Sequence, residues 1–111
     1  MSEINAYISD FLKAISDQTR LDILYLLQND PRTSSDLQEL LDKSQSTISQ
    51  HLKILFSNNL VTFEKQDKEN LYSIIDDSTS TFLSEIKSFV IQKHKERLEP
   101  FIDSDRRDVL L

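Results

Sequence analysis

Ser44-Gln45-Ser46-Thr47-Ile48-Ser49-Gln50-His51-Leu52-Lys53-Ile54-Leu55 is the stretch whose reading decides the fold. Ser44 is a good N-cap, and Ser57-Asn58-Asn59 is a stop, so the run between them reads as one helix. On a helical wheel Ile48, Leu52 and Leu55 share the inward face. Ser46, Gln50, Lys53 and Ser57 point the opposite way, with Thr47, Ser49 and Ile54 flanking them. The outer face therefore carries small hydroxyls, one amide and one cation. These groups suit reading of a DNA major groove: Gln pairs with an adenine edge, Lys with guanine or phosphate, and Ser or Thr with either. The helix N-terminus at Ser44 and Gln45 adds free backbone donors and a positive dipole end. Composition alone favours an ordinary solvated face, so the neighbouring elements must decide.

Upstream, Thr33 and Asp36 stand three apart like a capping box, and Leu37, Leu40 and Leu41 make a short apolar stripe. The spacing predicts a helix of about two turns. Downstream, Leu60–Glu64 and Leu71–Ile75 read as two strands joined by the polar Gln66–Asn70, a hairpin with a charged tip in which Lys65 and Lys68 are the basic candidates. Before the short helix, Asp17 can cap a helix over about Thr19 to Gln28, holding Leu21, Leu24 and Leu27, until Asn29-Asp30-Pro31 stops it. That helix is apolar nearly all round, which predicts a central place in the core. A first amphipathic helix follows Ser2, an N-cap candidate, with Ile4, Tyr7, Ile8, Phe11, Leu12 and Ile15 on one face. Phe82, Ile86, Phe89, Val90 and Leu98 lie on one stripe of a last helix of roughly twenty residues, capped in the Asp76-Asp77-Ser78 region and ending near Pro100. The order helix, helix, short helix, helix, hairpin, helix is mainly α with a β-hairpin wing, the plan of a winged helix-turn-helix. In that setting the polar outer face is a DNA-reading face.

The 111 residues fit one domain, read as residues 1–100, followed by a C-terminal tail at 101–111. No apolar run approaches membrane-spanning length, and the start lacks the features of a signal peptide, so no membrane partner and a cytoplasmic location are expected. Zero cysteines exclude disulfides, a thiol sensor and zinc-thiolate coordination; with no clustered histidines either, no metal site and no cofactor are expected. No nucleophile with an adjacent base and no glycine-rich phosphate loop argue against an enzyme. The net charge of −6 runs against DNA binding, but its distribution matters. Residues 1–42 hold three basic and eight acidic side chains, residues 43–70 hold four and three, and residues 71–111 hold six and eight. Only the segment holding the recognition elements is not acidic.

Ser16–Leu24, Ser35-Asp36-Leu37, Ser44–Leu55 and Asn59-Leu60-Val61 together resemble the ArsR/SmtB family of winged-helix repressors. The resemblance spans about residues 5–98. It implies a homodimer built on the first and last helices, with Ile4, Tyr7, Ile8, Phe11, Phe82, Ile86, Phe89 and Val90 as seam candidates. It also implies two recognition helices in successive major grooves, with wings at the flanking minor groove, and Gln45, Ser46, Thr47, Ser49, Gln50 and His51 near double-stranded DNA. Two departures stand out. Where many members carry a cysteine pair for soft metals, the matching positions here are Thr33 and Ser35, whose hydroxyls do not replace thiolates. The tip Gln66–Glu69 is nearly charge-neutral where basic residues are typical. His51 either packs against the preceding helix or donates to a phosphate, and His94, among Lys93, Lys95 and Arg97, reads as a surface residue. The rival to a DNA-binding regulator is a winged-helix module that docks to protein. A small-ligand pocket between the first and last helices would add an effector, which the sequence does not name.

Overall fold

The computed structural model describes residues 2–110, with side-chain surroundings through Ile102. Its elements run α1 (Ser2–Ile15), α2 (Gln18–Asn29), β1 (Arg32–Thr33), α3 (Ser34–Leu41), α4 (Gln45–Ser57), β2 (Val61–Gln66), β3 (Glu69–Ile74), α5 (Asp77–Lys93) and α6 (Lys95–Leu110). The expected order is present, with two additions.

The helix starts are set by short polar side chains. Asp17 caps α2 by accepting from the Arg20 N–H at 3.0 Å. Thr33 and Asp36 close the expected capping box on α3, each side chain accepting from the other's backbone N–H. Ser44 caps α4 and Asp76 caps α5. Each cap satisfies an N–H that the helix leaves orphaned. Ser2, expected as the cap of α1, instead stands within it.

One core joins the elements. Ile23, Leu24 and Leu27 of α2, Leu37 of α3, Ile48, Leu52 and Leu55 of α4, Leu60 in the turn before β2, Val61 of β2 and Leu83 of α5 are buried in it, and Ile15 closes it from α1. As expected, α2 is central: it touches every other helix up to α5 as well as β3. Leu21 is only half-buried, because the fully enclosed position belongs to Ile23.

The sheet departs from expectation in two ways. Its order is β1-β3-β2, all antiparallel, so the wing hairpin has a third strand that the sequence reading lacked. Arg32 pairs with Tyr72 and Thr33 with Leu71. Two residues beside a proline carry no alternation from which a strand could be read. The hairpin strands also run further than their apolar portions. Lys65 pairs with Asn70 and Gln66 with Glu69, leaving only Asp67 and Lys68 as the turn. Polar residues extend these strands because the outer wing is solvated on both faces. Since the chain has no glycine, left-handed backbone falls to Asp42 (φ 53°), Asn59 (φ 59°) and Asp67 (φ 56°). Asx residues bear this conformation best among those with a Cβ.

The last helix is also corrected. The chain breaks at His94, the C-cap of α5, rather than at Pro100, and α6 carries the helix through Pro100 to Leu110. Leu98, placed on the stripe of α5 by periodicity, thus belongs to α6. Proline forfeits one hydrogen bond and strains the turn before it, yet does not always stop a helix.

The caps carry a pH signature. The Thr79 hydroxyl and backbone N–H, both donating to Asp76, hold its carboxyl below the usual value of 3.8, and the Arg20 N–H does the same to Asp17. A lowered folded-state pKa means that this stabilisation is complete above 3.8 and disappears as pH falls through the folded values. Asp76→Asn, which keeps a capping oxygen but cannot titrate, should therefore show a shallower acid-unfolding limb below 3.8 by circular dichroism. An unchanged limb would remove Asp76 from the acid response.

Candidate nucleic-acid interface

Helix α3, a turn through Asp42, Lys43 and Ser44, and helix α4 form a helix-turn-helix packed on α2, with the wing sheet beside it. The turn is held by Lys43 N–H donating to the Gln38 carbonyl at 3.1 Å, which the left-handed Asp42 makes possible. At the start of α4 the Ser44 hydroxyl accepts from the Thr47 N–H at 3.2 Å and donates to the Thr47 hydroxyl at 2.9 Å, with the Ser46 hydroxyl 3.2 Å away. At its end, Ser57 donates to the Lys53 carbonyl and Asn58 to the Ile54 carbonyl, both at 2.8 Å.

The faces of α4 divide as the wheel predicts. Ile48, Leu52 and Leu55 are buried, whereas Gln45, Ser46, Ser49, Gln50 and Lys53 are exposed along one side. Ser44 is exposed, and Thr47 is half-buried at the edge, occupied by the cap. His51, for which packing on the preceding helix or donation to a phosphate was left open, makes its side-chain contacts with α2 and its cap. Its Nδ1 lies 3.1 Å from the Arg20 guanidinium and 4.0 Å from the Asp17 carboxylate, turned toward α2. Lys65 on β2 and Lys68 in the turn are exposed on the wing. Glu69, which neutralised the tip on paper, accepts a hydrogen bond from the Ser35 hydroxyl at the first turn of α3. The two positions matched to thiolate ligands are thus structural: Thr33 caps α3 and Ser35 ties the wing to it.

The seam candidates fall into two groups. Ile4, Tyr7 and Ile8 on α1 and Phe89 and Val90 on α5 are exposed, Tyr7 at 76% and Phe89 at 62%. Phe11, Phe82 and Ile86 are instead half-buried against the core, and the rings of Phe11 and Phe82 meet at 5.8 Å within the protomer. Periodicity puts a residue on a face, but does not say whether that face ends in core or in solvent.

Arg20 was missed as a positioning residue. Its side chain bonds to the end of α1 and to His51, thirty-one positions away in sequence, and no local pattern announces such a contact.

A short helix and an exposed polar helix joined by a tight turn, with a sheet wing alongside, define a winged helix-turn-helix DNA-binding protein. Residues 17–62 match the family described as bacterial regulatory protein, arsR family. Over 96 residues the chain is 35% identical to the arsenical resistance operon repressor of Bacillus subtilis (strain 168), covering 86% of this chain and 91% of that one. Among solved structures it is similar to HlyU from Vibrio cholerae N16961, with TM-score 0.71 and 27% identity over 80% of this chain and 97% of the other. A homodimeric winged helix-turn-helix DNA-binding domain from Mycobacterium bovis shares the fold at TM-score 0.76 and 22% identity, over 86% of this chain and 88% of that one. The chain belongs to the ArsR family of bacterial regulatory proteins and is a DNA-binding transcriptional regulator rather than an enzyme.

Proposed function

We propose that this protein is a homodimeric transcriptional repressor that inserts α4 of each protomer into the major groove of an operator. The observation that carries the proposal is the outer face of α4, where Ser46, Ser49, Gln50 and Lys53 stand exposed in one row over a fully buried Ile48, Leu52 and Leu55. Gln45, Ser44 and Thr47 add polar groups at the helix N-terminus, and Lys65 and Lys68 reach the backbone from the wing.

Dimerisation is supported by the exposed apolar faces of α1 and α5. The Bacillus relative is a repressor and the Mycobacterium domain a homodimer, which favours both readings here. No helix among the described residues is long and apolar enough to cross a membrane, and we place the regulator in the cytoplasm with its DNA. The relative's arsenical role is not carried over, because this chain has no cysteine to bind a soft metalloid.

Selection of bound fragments from random duplex DNA, then competition at several salt concentrations, tests the reading. Gln50 sits mid-helix and can reach a base edge, so Gln50→Ala should cost about 1–3 kcal/mol on the selected operator while barely affecting scrambled duplex. Lys53, one turn on, is assigned to phosphate; Lys53→Ala should weaken all sequences alike and flatten the salt slope by about one unit. If both variants bound like the parent, α4 would not be the reading helix. If the parent selected no duplex and captured a protein instead, the docking-module reading would replace this one.

A further inference from the structure

Three elements meet at one guanidinium. Arg20, in the first turn of α2, donates from Nε to the Ala14 carbonyl at 2.5 Å and from one terminal nitrogen to the Lys13 carbonyl at 3.3 Å. These carbonyls belong to the last turn of α1, where helix C-termini leave acceptors unsatisfied and favour positive charge. The other terminal nitrogen lies 3.1 Å from Nδ1 of His51, in the middle of α4. A guanidinium has no acceptor, so this contact is a hydrogen bond only if Nδ1 presents its lone pair, which puts the proton of the neutral ring on Nε2.

We propose that Arg20 and His51 form a proton-sensitive latch that sets the recognition helix against the end of α1. Arg20 acts as a positioning residue through a neutral His51, and protonation of that ring opens the latch. The inference rests on the reading of α4 as the DNA-reading helix and α1 as part of the dimer seam, since the latch joins the two.

The chemistry gives the latch two positions. With the ring neutral, Nδ1 accepts from Arg20, and α4 is tied to α1 through the guanidinium. Once Nδ1 carries a proton it can no longer accept, and the imidazolium faces a cation at hydrogen-bond distance. Among the described residues its new N–H has one carboxylate within reach, Asp17, whose Oδ1 is 4.0 Å away and stays ionised because the Arg20 N–H already donates to it. The ring therefore exchanges Arg20 for Asp17, and α4 keeps its tie to the cap of α2 while losing its tie to α1. Every charged group set against the ring favours this sense. Arg20 comes from α2 and Asp17 from its cap, and α1 contributes the Lys13 and Ala14 carbonyls through Arg20. From α3 and β2, which also pack on α4, no charged side chain bonds to His51 among the described residues. The positions one turn away on α4 itself, Thr47, Ile48, Ile54 and Leu55, carry no charge.

The chain has two histidines, so nitrogen NMR of the imidazoles, with His94→Gln to assign His51, reads the latch in the free protein. The expected result is the Nε2–H tautomer for neutral His51 in the parent and a mixture of tautomers in Arg20→Met. An Nδ1–H tautomer in the parent would overturn the proposal. The second arm follows operator affinity from about pH 8 to about pH 5, the window in which imidazoles change charge. In His51→Asn the amide oxygen stands where Nδ1 stood and accepts from Arg20 without titrating. The parent should lose about tenfold more affinity across the window than His51→Asn does, and equal losses would also overturn the latch. Failure of the parent to bind any duplex at any pH would instead remove the regulator reading, while the NMR arm still decides the latch.

Discussion

Leu55→Ala should lower stability by about 2–5 kcal/mol, the range for deleting a buried leucine and leaving a cavity. Leu55 is completely buried on the inward face of α4, in the cluster that holds Leu24 of α2 and Val61 of β2. Its backbone carbonyl also accepts from the Leu60 N–H at 3.1 Å, at the turn into the wing. The cavity would therefore open where the recognition helix, the central helix and the wing meet. For a domain of this size such a loss is a large share of the total stability, and urea unfolding should shift to a much lower midpoint with an unchanged slope. DNA affinity per folded molecule should fall less than stability does, because no outward side chain is touched. A cost under about 1 kcal/mol would show that the site repacks freely, and the core would then be looser than the full burial of Leu55 indicates.

The second large effect concerns assembly. Tyr7→Glu combined with Phe89→Glu places four carboxylates in a symmetric seam while touching no core position, since both side chains are mostly exposed in the protomer. Sedimentation of the parent should give about twice 13.0 kDa, and the double variant should run as a monomer with an unchanged helical spectrum. Operator affinity should drop by about 10²–10⁴-fold, because two half-sites are then bound independently instead of through one rigid pair. A double variant that remained a dimer would move the seam off α1 and α5. One that became monomeric yet bound as tightly as the parent would show that a single recognition helix suffices.

The fold was legible wherever a local rule decided it. Asp17, Thr33, Ser44 and Asp76 announce helix starts because a capping oxygen must precede the orphan N–H groups, and they serve in those places. The two faces of α4 follow from spacing alone. Contacts between distant residues were not legible. β1 is two residues long and exists only because β3 offers it a partner. The break at His94 and the passage of α6 through Pro100 invert the usual punctuation. Phe11 and Phe82 were legible as face residues, but not that their rings meet each other within one protomer. Arg20 was visible as part of a familiar string, but its role depends on where α1 ends and which way His51 turns.

The left-handed residues Asp42, Asn59 and Asp67 each bear a strain that glycine would avoid, and each stands where one element hands over to the next. The same absence of glycine acts on the denatured chain in the opposite direction. A polypeptide without a single flexible Cα explores fewer conformations when unfolded, and so surrenders less disorder on folding, with the benefit spread along all 111 residues. The strain is local and enthalpic, while the compensation is diffuse and entropic. The strain is therefore confined to the hand-over points that follow α3, α4 and β2, while the compensation belongs to every residue of the unfolded chain.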